Sequence, residues 1–253
     1  MTAINIVARP DQGAIYVLTD AAIYTKADGV SAFGLKAYPV ANWPGLVTGV
    51  GNANASLILA FALAQTFGGE DVAFDTMIAT SDMSMPEYLA GTKFPGGGEI
   101  IICGISKARN RPEIYSFRLD DTIPPGVTPA EIKEAIKQGF YAEKPGQLLK
   151  LPDNVMTPVP PLQLSLAANY EGIKPTDTED QVIWSMRKHL TMQRHMPLAD
   201  DVSGIGGFAT LTKITADGIT QRIVDRWPED QIGGLIRPAR IDWQKWHADN
   251  PRP

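Results

Sequence analysis

The second residue of the chain is a threonine set directly ahead of a β-rich run, in MTAINIVARPDQGAIYVLTDAA. A threonine hydroxyl becomes a nucleophile only with a base beside it. Thr2 therefore reads in two ways: as an ordinary residue near a chain end, or as a nucleophile released by removal of Met1. The usual bases are scarce. The three histidines, His189, His195 and His247, lack the spacing and neighbouring ligands of a zinc site and are expected at surface positions on a long helix and in the tail. No Gly-x-Ser-x-Gly elbow occurs. The glycines at 96–98 precede Glu99 rather than Lys-Ser/Thr, and SGIGG at 203–207 leads into a strand, so neither reads as a phosphate cradle. No metal and no cofactor is expected.

The rest of the composition narrows the partners. A net charge of −5 without a Lys/Arg cluster gives no footprint for nucleic acid. With 44% hydrophobic and 20% charged residues, the chain has the make-up of a folded globular protein. No run approaches the length of a membrane helix, so no membrane association is expected. The single Cys103 lies in the apolar run IIICGI and reads as a buried thiol. A reducing, cytoplasmic setting is the expectation.

These residues need elements to hold them. INIVAR (4–9) and AIYVLTD (14–20) are short β-rich runs separated by the turn formers PDQG, which predicts a hairpin. KAYPV (36–40) and GLVTGVG (45–51), joined by ANWP, predict a second pair ending in a Gly-rich corner. NASLILAFALAQTF (54–67) is apolar nearly all round and predicts a buried helix. GGEDVAFDTMIATSDM predicts another, with acidic residues near its start. GEIIICGIS (98–106) and EIYSFRL (113–119) predict a third hairpin, and GGFATLTKI (206–214) with ITQRIVD (219–225) a fourth about ADG. Thr128 with Glu131 reads as a capping box for a helix near 129–140, and Thr176 with Glu179 as one for a helix near 177–195. Residues 142–175 are Pro-rich and poorly periodic. Every apolar run is satisfied by an α+β fold with four layers, α-β-β-α: two antiparallel sheets pack face to face and are flanked by helices. The expected organisation is one domain over 1–227 with an insertion at about 120–175, followed by a C-terminal extension over 228–253.

This order of elements, with Thr2 at its head, resembles the proteasome β-subunits and the bacterial HslV peptidase, members of the N-terminal nucleophile (Ntn) hydrolases. The resemblance covers roughly residues 2–119 and 177–225. It implies that the first mature residue, Thr2, attacks an amide carbonyl and uses its own α-amine as base. An α-amine has a pKa of about 8, so a useful fraction is neutral near pH 7 and no histidine is required. Sixteen positions separate Asp20 from Lys36, which matches the family's Asp and Lys. The resemblance makes them a buried ion pair that tunes and orients the nucleophile. PGLVTGVGNANA resembles the corner whose backbone N–H meets the oxyanion, here Gly49 with Gly51 as alternate. LADDVSGIGGF resembles the family's Asp-x-x-Ser-Gly, so Asp200, or Asp201, and Ser203 would support the terminal amine.

The sequence also departs from the family. The hairpin from Thr2 to Asp20 is about two residues longer than usual. The Ser-containing Gly-rich motif ahead of the third helix is not recognisable in 120–175.

The implied activity is cleavage of a peptide or small amide through an acyl-enzyme on Thr2, by a subunit of a homo-oligomeric ring or stack. An ATPase partner stays open. A rival reading is a catalytically silent structural or assembly subunit like the family's α-subunits. Those carry a helix ahead of the first strand, which this sequence is not expected to have. The residues also have plainer readings. Asp20 can cap a turn, Lys36 can be solvated at a sheet edge, and Gly49 and Gly51 can serve packing alone. Asp200 and Ser203 can form an ordinary turn. The tail with Trp243 and Trp246 is expected to dock on the body.

Overall fold

A computed structural model describes residues 2–25, 29–52, 54–68, 73–91, 97–121, 128–138, 141–196 and 202–253. The chain is mixed α+β. Its strands are β1 (Ile4–Arg9), β2 (Ala14–Asp20), β3 (Ala22–Thr25), β4 (Gly29–Phe33), β5 (Ala37–Pro39), β6 (Gly45–Gly51), β7 (Gly98–Ser106), β8 (Arg111–Arg118), β9 (Leu149–Lys150), β10 (Asn154–Thr157), β11 (Phe208–Thr215) and β12 (Gly218–Arg226). Six helices are described: α1 (Ala55–Phe67), α2 (Ala73–Gly91), α3 (Pro129–Lys137), α4 (Leu162–Ala167), α5 (Glu179–Arg194) and α6 (Trp243–Asp249). One antiparallel sheet has the order β10-β1-β2-β11-β12, a second β5-β6-β7-β8-β9, and β3-β4 form a separate ribbon.

The first hairpin closes through a 3-10 turn at Pro10–Gln12, and Gly13 takes the left-handed conformation (φ 58°). Strand periodicity then divides its side chains between two faces. Ile4, Ile6, Ile15 and Val17 meet Leu46, Ile101, Cys103 and Ile114 of the second sheet in one apolar cluster. The alternate residues Val7, Tyr16 and Leu18 pack on Val182, Met186 and Leu190 of α5. With both faces buried, β1 and β2 contain no exposed residue. On the far side of the second sheet, Val47, Ile100, Ile102 and Phe117 pack on Leu59 and Leu63 of α1 and on Phe74 and Met77 of α2. Each such aliphatic or aromatic side chain contributes about 1.5–3 kcal/mol when fully buried.

Four expectations are corrected. α1 is not buried all round: it packs by one face, leaving Leu57, Ile58 and Phe61 exposed, with Phe61 68% accessible. The cap of α5 is Thr178 with Gln181, not Thr176 with Glu179. His189 lies inside the protein rather than on the surface. The stretch 142–175, which shows no periodicity, holds strand segments of both sheets: β9 extends the second sheet on β8, and β10 extends the first on β1. A capping box at Thr128 and Glu131 starts α3 as expected.

The tail docks on α5. The indole N–H of Trp184 donates to the Asn250 carbonyl at 2.8 Å, and the Trp184 and Trp246 rings lie 5.7 Å apart. Arg252 pairs with Asp177 at 2.6 Å.

Candidate active site

Asp20 ends β2 and is fully buried. Lys36 precedes β5, where Thr48 of β6 donates its hydroxyl hydrogen to the Lys36 carbonyl at 2.8 Å. The antiparallel ladder of β5 and β6 thus sets where the lysine leaves the backbone. Its ammonium reaches Asp20 Oδ1 at 2.8 Å, with its side chain 10% exposed. Three backbone donors converge on the same carboxylate. The Ala3 N–H meets Oδ1 at 2.9 Å, and the N–H groups of Ala22 and Gly206 meet Oδ2 at 3.1 and 3.3 Å. Asp20 therefore ties together the segment after Thr2, the start of β3, the loop before β11, and Lys36. A carboxylate accepting several N–H bonds is held in one orientation, which fixes the cation bonded to it. Burial pushes the Lys36 pKa down, and the neighbouring Asp20 charge and hydrogen bond oppose that shift without cancelling it.

A cavity of about 110 Å³ opens beside this pair, lined by Thr2, Lys36, Tyr38, Gly49, Gly51 and Ser56 among others. Four of the residues singled out in the sequence thus share one small space. The glycines also have a packing reason to be there. A Cβ at Gly49 would lie 2.5 Å from the Glu99 carbonyl oxygen and 3.0 Å from Ser56 Oγ. Gly51 has φ 102°, and a Cβ there would lie 2.4 Å from the Gly97 carbonyl oxygen.

Ser203 is placed differently. Its hydroxyl donates to the Ile205 carbonyl at 3.3 Å and accepts from the Ile205 N–H at 3.1 Å, closing a local turn. It lines a separate cavity of about 620 Å³ with Arg194, His195 and Trp243. The loop after it reaches Asp20 through backbone alone. That loop is pinned by Asp230, whose Oδ2 accepts the Gly207 N–H at 2.7 Å and pairs with Arg194 at 2.7 Å. Met1, Asp200 and Asp201 lie outside the described residues.

Three hydroxyl-bearing lining residues had not been singled out from the sequence. Tyr38 stands two residues from Lys36, a period-two spacing within the KAYPV run that could have found it. Ser56 sits in the first turn of α1, directly after the Gly-rich corner. Tyr24 of β3 lines the cavity and donates its hydroxyl to the Ser203 carbonyl at 2.7 Å, and burial pushes its pKa up to about 12. It sits in a ribbon that the sequence pattern does not announce.

Among the described residues no group of three His, Cys, Asp or Glu side chains could hold a metal ion, and no helix is long and apolar enough to cross a membrane. No protein-family model matches the chain, and no curated protein matches it.

Proposed function

We propose that this chain is an N-terminal threonine hydrolase whose packing is the α-β-β-α sandwich of the proteasome-like Ntn family, and that it cleaves amide bonds in peptides. The reading is carried by one observation: Lys36, ion-paired to the buried Asp20, lines the same cavity as Thr2. Once the chain is processed to begin at Thr2, the residue holds a hydroxyl and an α-amine together. The amine takes the hydroxyl proton as Oγ1 attacks the substrate carbonyl, and the carbonyl electrons move onto oxygen. Collapse of that intermediate breaks the C–N bond, and the ammonium returns its proton to the departing amine. Water, deprotonated by the same amine, then hydrolyses the ester on Thr2. The Lys36 ammonium, held by Asp20, lowers the cost of negative charge on Oγ1. A backbone N–H at the Gly49–Gly51 corner aimed at the oxyanion can be worth about 3 kcal/mol.

A second reading, a silent subunit of the same fold, draws on a specific observation. The Ser203 hydroxyl donates to the Ile205 carbonyl and accepts the Ile205 N–H, and it lines a different cavity from Thr2, so it does not take the supporting place that the resemblance assigns to it. Intact mass after incubation with a peptide epoxyketone separates the two readings. The active form loses Met1 and gains one adduct that Thr2→Ala does not gain. Protein with a free Thr2 amine that stays unlabelled would leave the silent subunit standing.

A further inference from the structure

Away from the Thr2 cavity, α5 places Lys188 against the docked tail. This residue is 2% exposed. Its ammonium donates to the Asn169 carbonyl at 2.7 Å and lies 4.9 Å from the centre of the Trp184 ring. Among the described residues no carboxylate forms an ion pair with it, because the nearby acids are taken: Glu171 by Lys174 at 2.7 Å and Asp177 by Arg252 at 2.6 Å. Burial pushes the Lys188 pKa down, Glu171 opposes this at longer range, and Arg252 adds to it. An ammonium carries three donors, and one carbonyl and one ring face leave it short of acceptors. The open side is a cavity of about 280 Å³ lined by Tyr170, Glu171, Trp184, Lys188, His247 and Arg252. At about 30 Å³ per water-sized group, that is room for roughly nine non-hydrogen atoms.

We propose that this cavity binds a small organic carboxylate or comparable oxyanion, which pairs with Lys188 and Arg252 while its apolar part lies against Trp184. Lys188 lies 4.9 Å and Arg252 5.7 Å from the centre of the Trp184 ring, so both cations and the indole converge on the same cavity wall. An anion there supplies the acceptor that the protein withholds from Lys188. The inference does not depend on the activity proposed for Thr2.

Thermal unfolding of the full chain tests it. Acetate, succinate, benzoate and phosphate are titrated separately against chloride at constant ionic strength. At least one oxyanion gives a saturable rise in Tm, and the rise is lost in Lys188→Met and kept in Lys137→Met, a change at an exposed lysine of α3 that does not line the cavity. In chloride alone Lys188→Met is no less stable than the parent, because a thioether of similar shape replaces an uncompensated charge. Arg252→Gln provides an independent arm, with calorimetric affinity for the same anion about tenfold or more weaker, as expected for loss of a charge-assisted hydrogen bond. No saturable rise with any of the four anions would overturn the proposal. So would a rise of equal size in Lys188→Met, or undiminished affinity in Arg252→Gln.

Discussion

Lys36 and Lys188 are both buried ammonium groups with pKa values lowered by burial, and their surroundings differ in one respect. Lys36 meets a carboxylate with no exposed surface at 2.8 Å, and that carboxylate is itself anchored by three backbone N–H groups. Lys188 meets a carbonyl and an indole. Burying an ion costs several kcal/mol, and only a well-placed partner offsets it. In the first region the offset is built into β2 and its neighbours, so the charge has a fixed position beside Thr2. In the second the offset is incomplete, and the open side is a cavity. A buried cation with its anion supplied serves to position other groups; one without it is suited to receiving an anion.

The contrast is broken most severely by making Lys36 resemble Lys188. Asp20→Ala leaves Lys36 unpaired and strands the N–H groups of Ala3, Ala22 and Gly206. The expected loss of unfolding free energy is about 3–5 kcal/mol, read from the urea midpoint. Lys36→Met removes the cation but leaves Asp20 its three backbone donors, so it should cost distinctly less. Equal losses for the two variants would mean that the backbone bonds to Asp20 contribute little and that the ion pair alone holds the junction.

The two regions were also unequally legible. Asp20 and Lys36 stand at strand ends whose alternation and turn residues mark them, and the strands β1, β2, β6, β7, β11 and β12 follow from local pattern within a residue or two. Tyr24 was hidden because β3 and β4 are short and close on each other rather than on a large sheet. β9 and β10 have two and four residues, too few for a period, and exist only through pairing with distant β8 and β1. His189 sits in MRKHLT, whose charges suggest a solvated face. The ring instead packs on Tyr170, from the stretch 142–175, a contact that no local pattern foretells. The small-side-chain cradle at Gly49 and Gly51 was visible as sequence, but its reason, close approach to Glu99 and Gly97, is long-range.

His189 sharpens the comparison on the α5 side. Among the described residues neither ring nitrogen has a hydrogen-bond partner, its ring lies 5.2 Å from that of Tyr170, and burial pushes its pKa down to about 4 from an ordinary 6.5. The folded state therefore stays neutral while the unfolded chain takes up a proton below pH 6.5, so stability falls as pH falls from 6.5 towards 4. The total over that window is roughly 3 kcal/mol. His189→Leu should flatten this part of the stability profile and leave the profile above pH 7 unchanged in shape. An acid limb of the same slope in the variant would place the responsible proton elsewhere.

The smallest expected effect concerns how each region's helix begins. α1, beside the Thr2 cavity, starts at Asn54 with no side-chain cap, whereas α5 starts with a reciprocal box: the Thr178 N–H donates to Gln181 Oε1 at 3.0 Å, and the Gln181 N–H to Thr178 Oγ1 at 3.4 Å. Thr178→Ala should therefore cost about 1 kcal/mol. Thr176→Ala, two residues earlier and exposed, should stay within about 0.5 kcal/mol of the parent. The pair of variants decides which threonine starts the helix, Thr176 as the sequence reading has it or Thr178 as the structure has it. Asp177 between them explains the choice. It is buried, receives Arg252, and accepts the Lys174 N–H at 3.0 Å, so the chain is still turning there and the first helical N–H groups fall to Thr178.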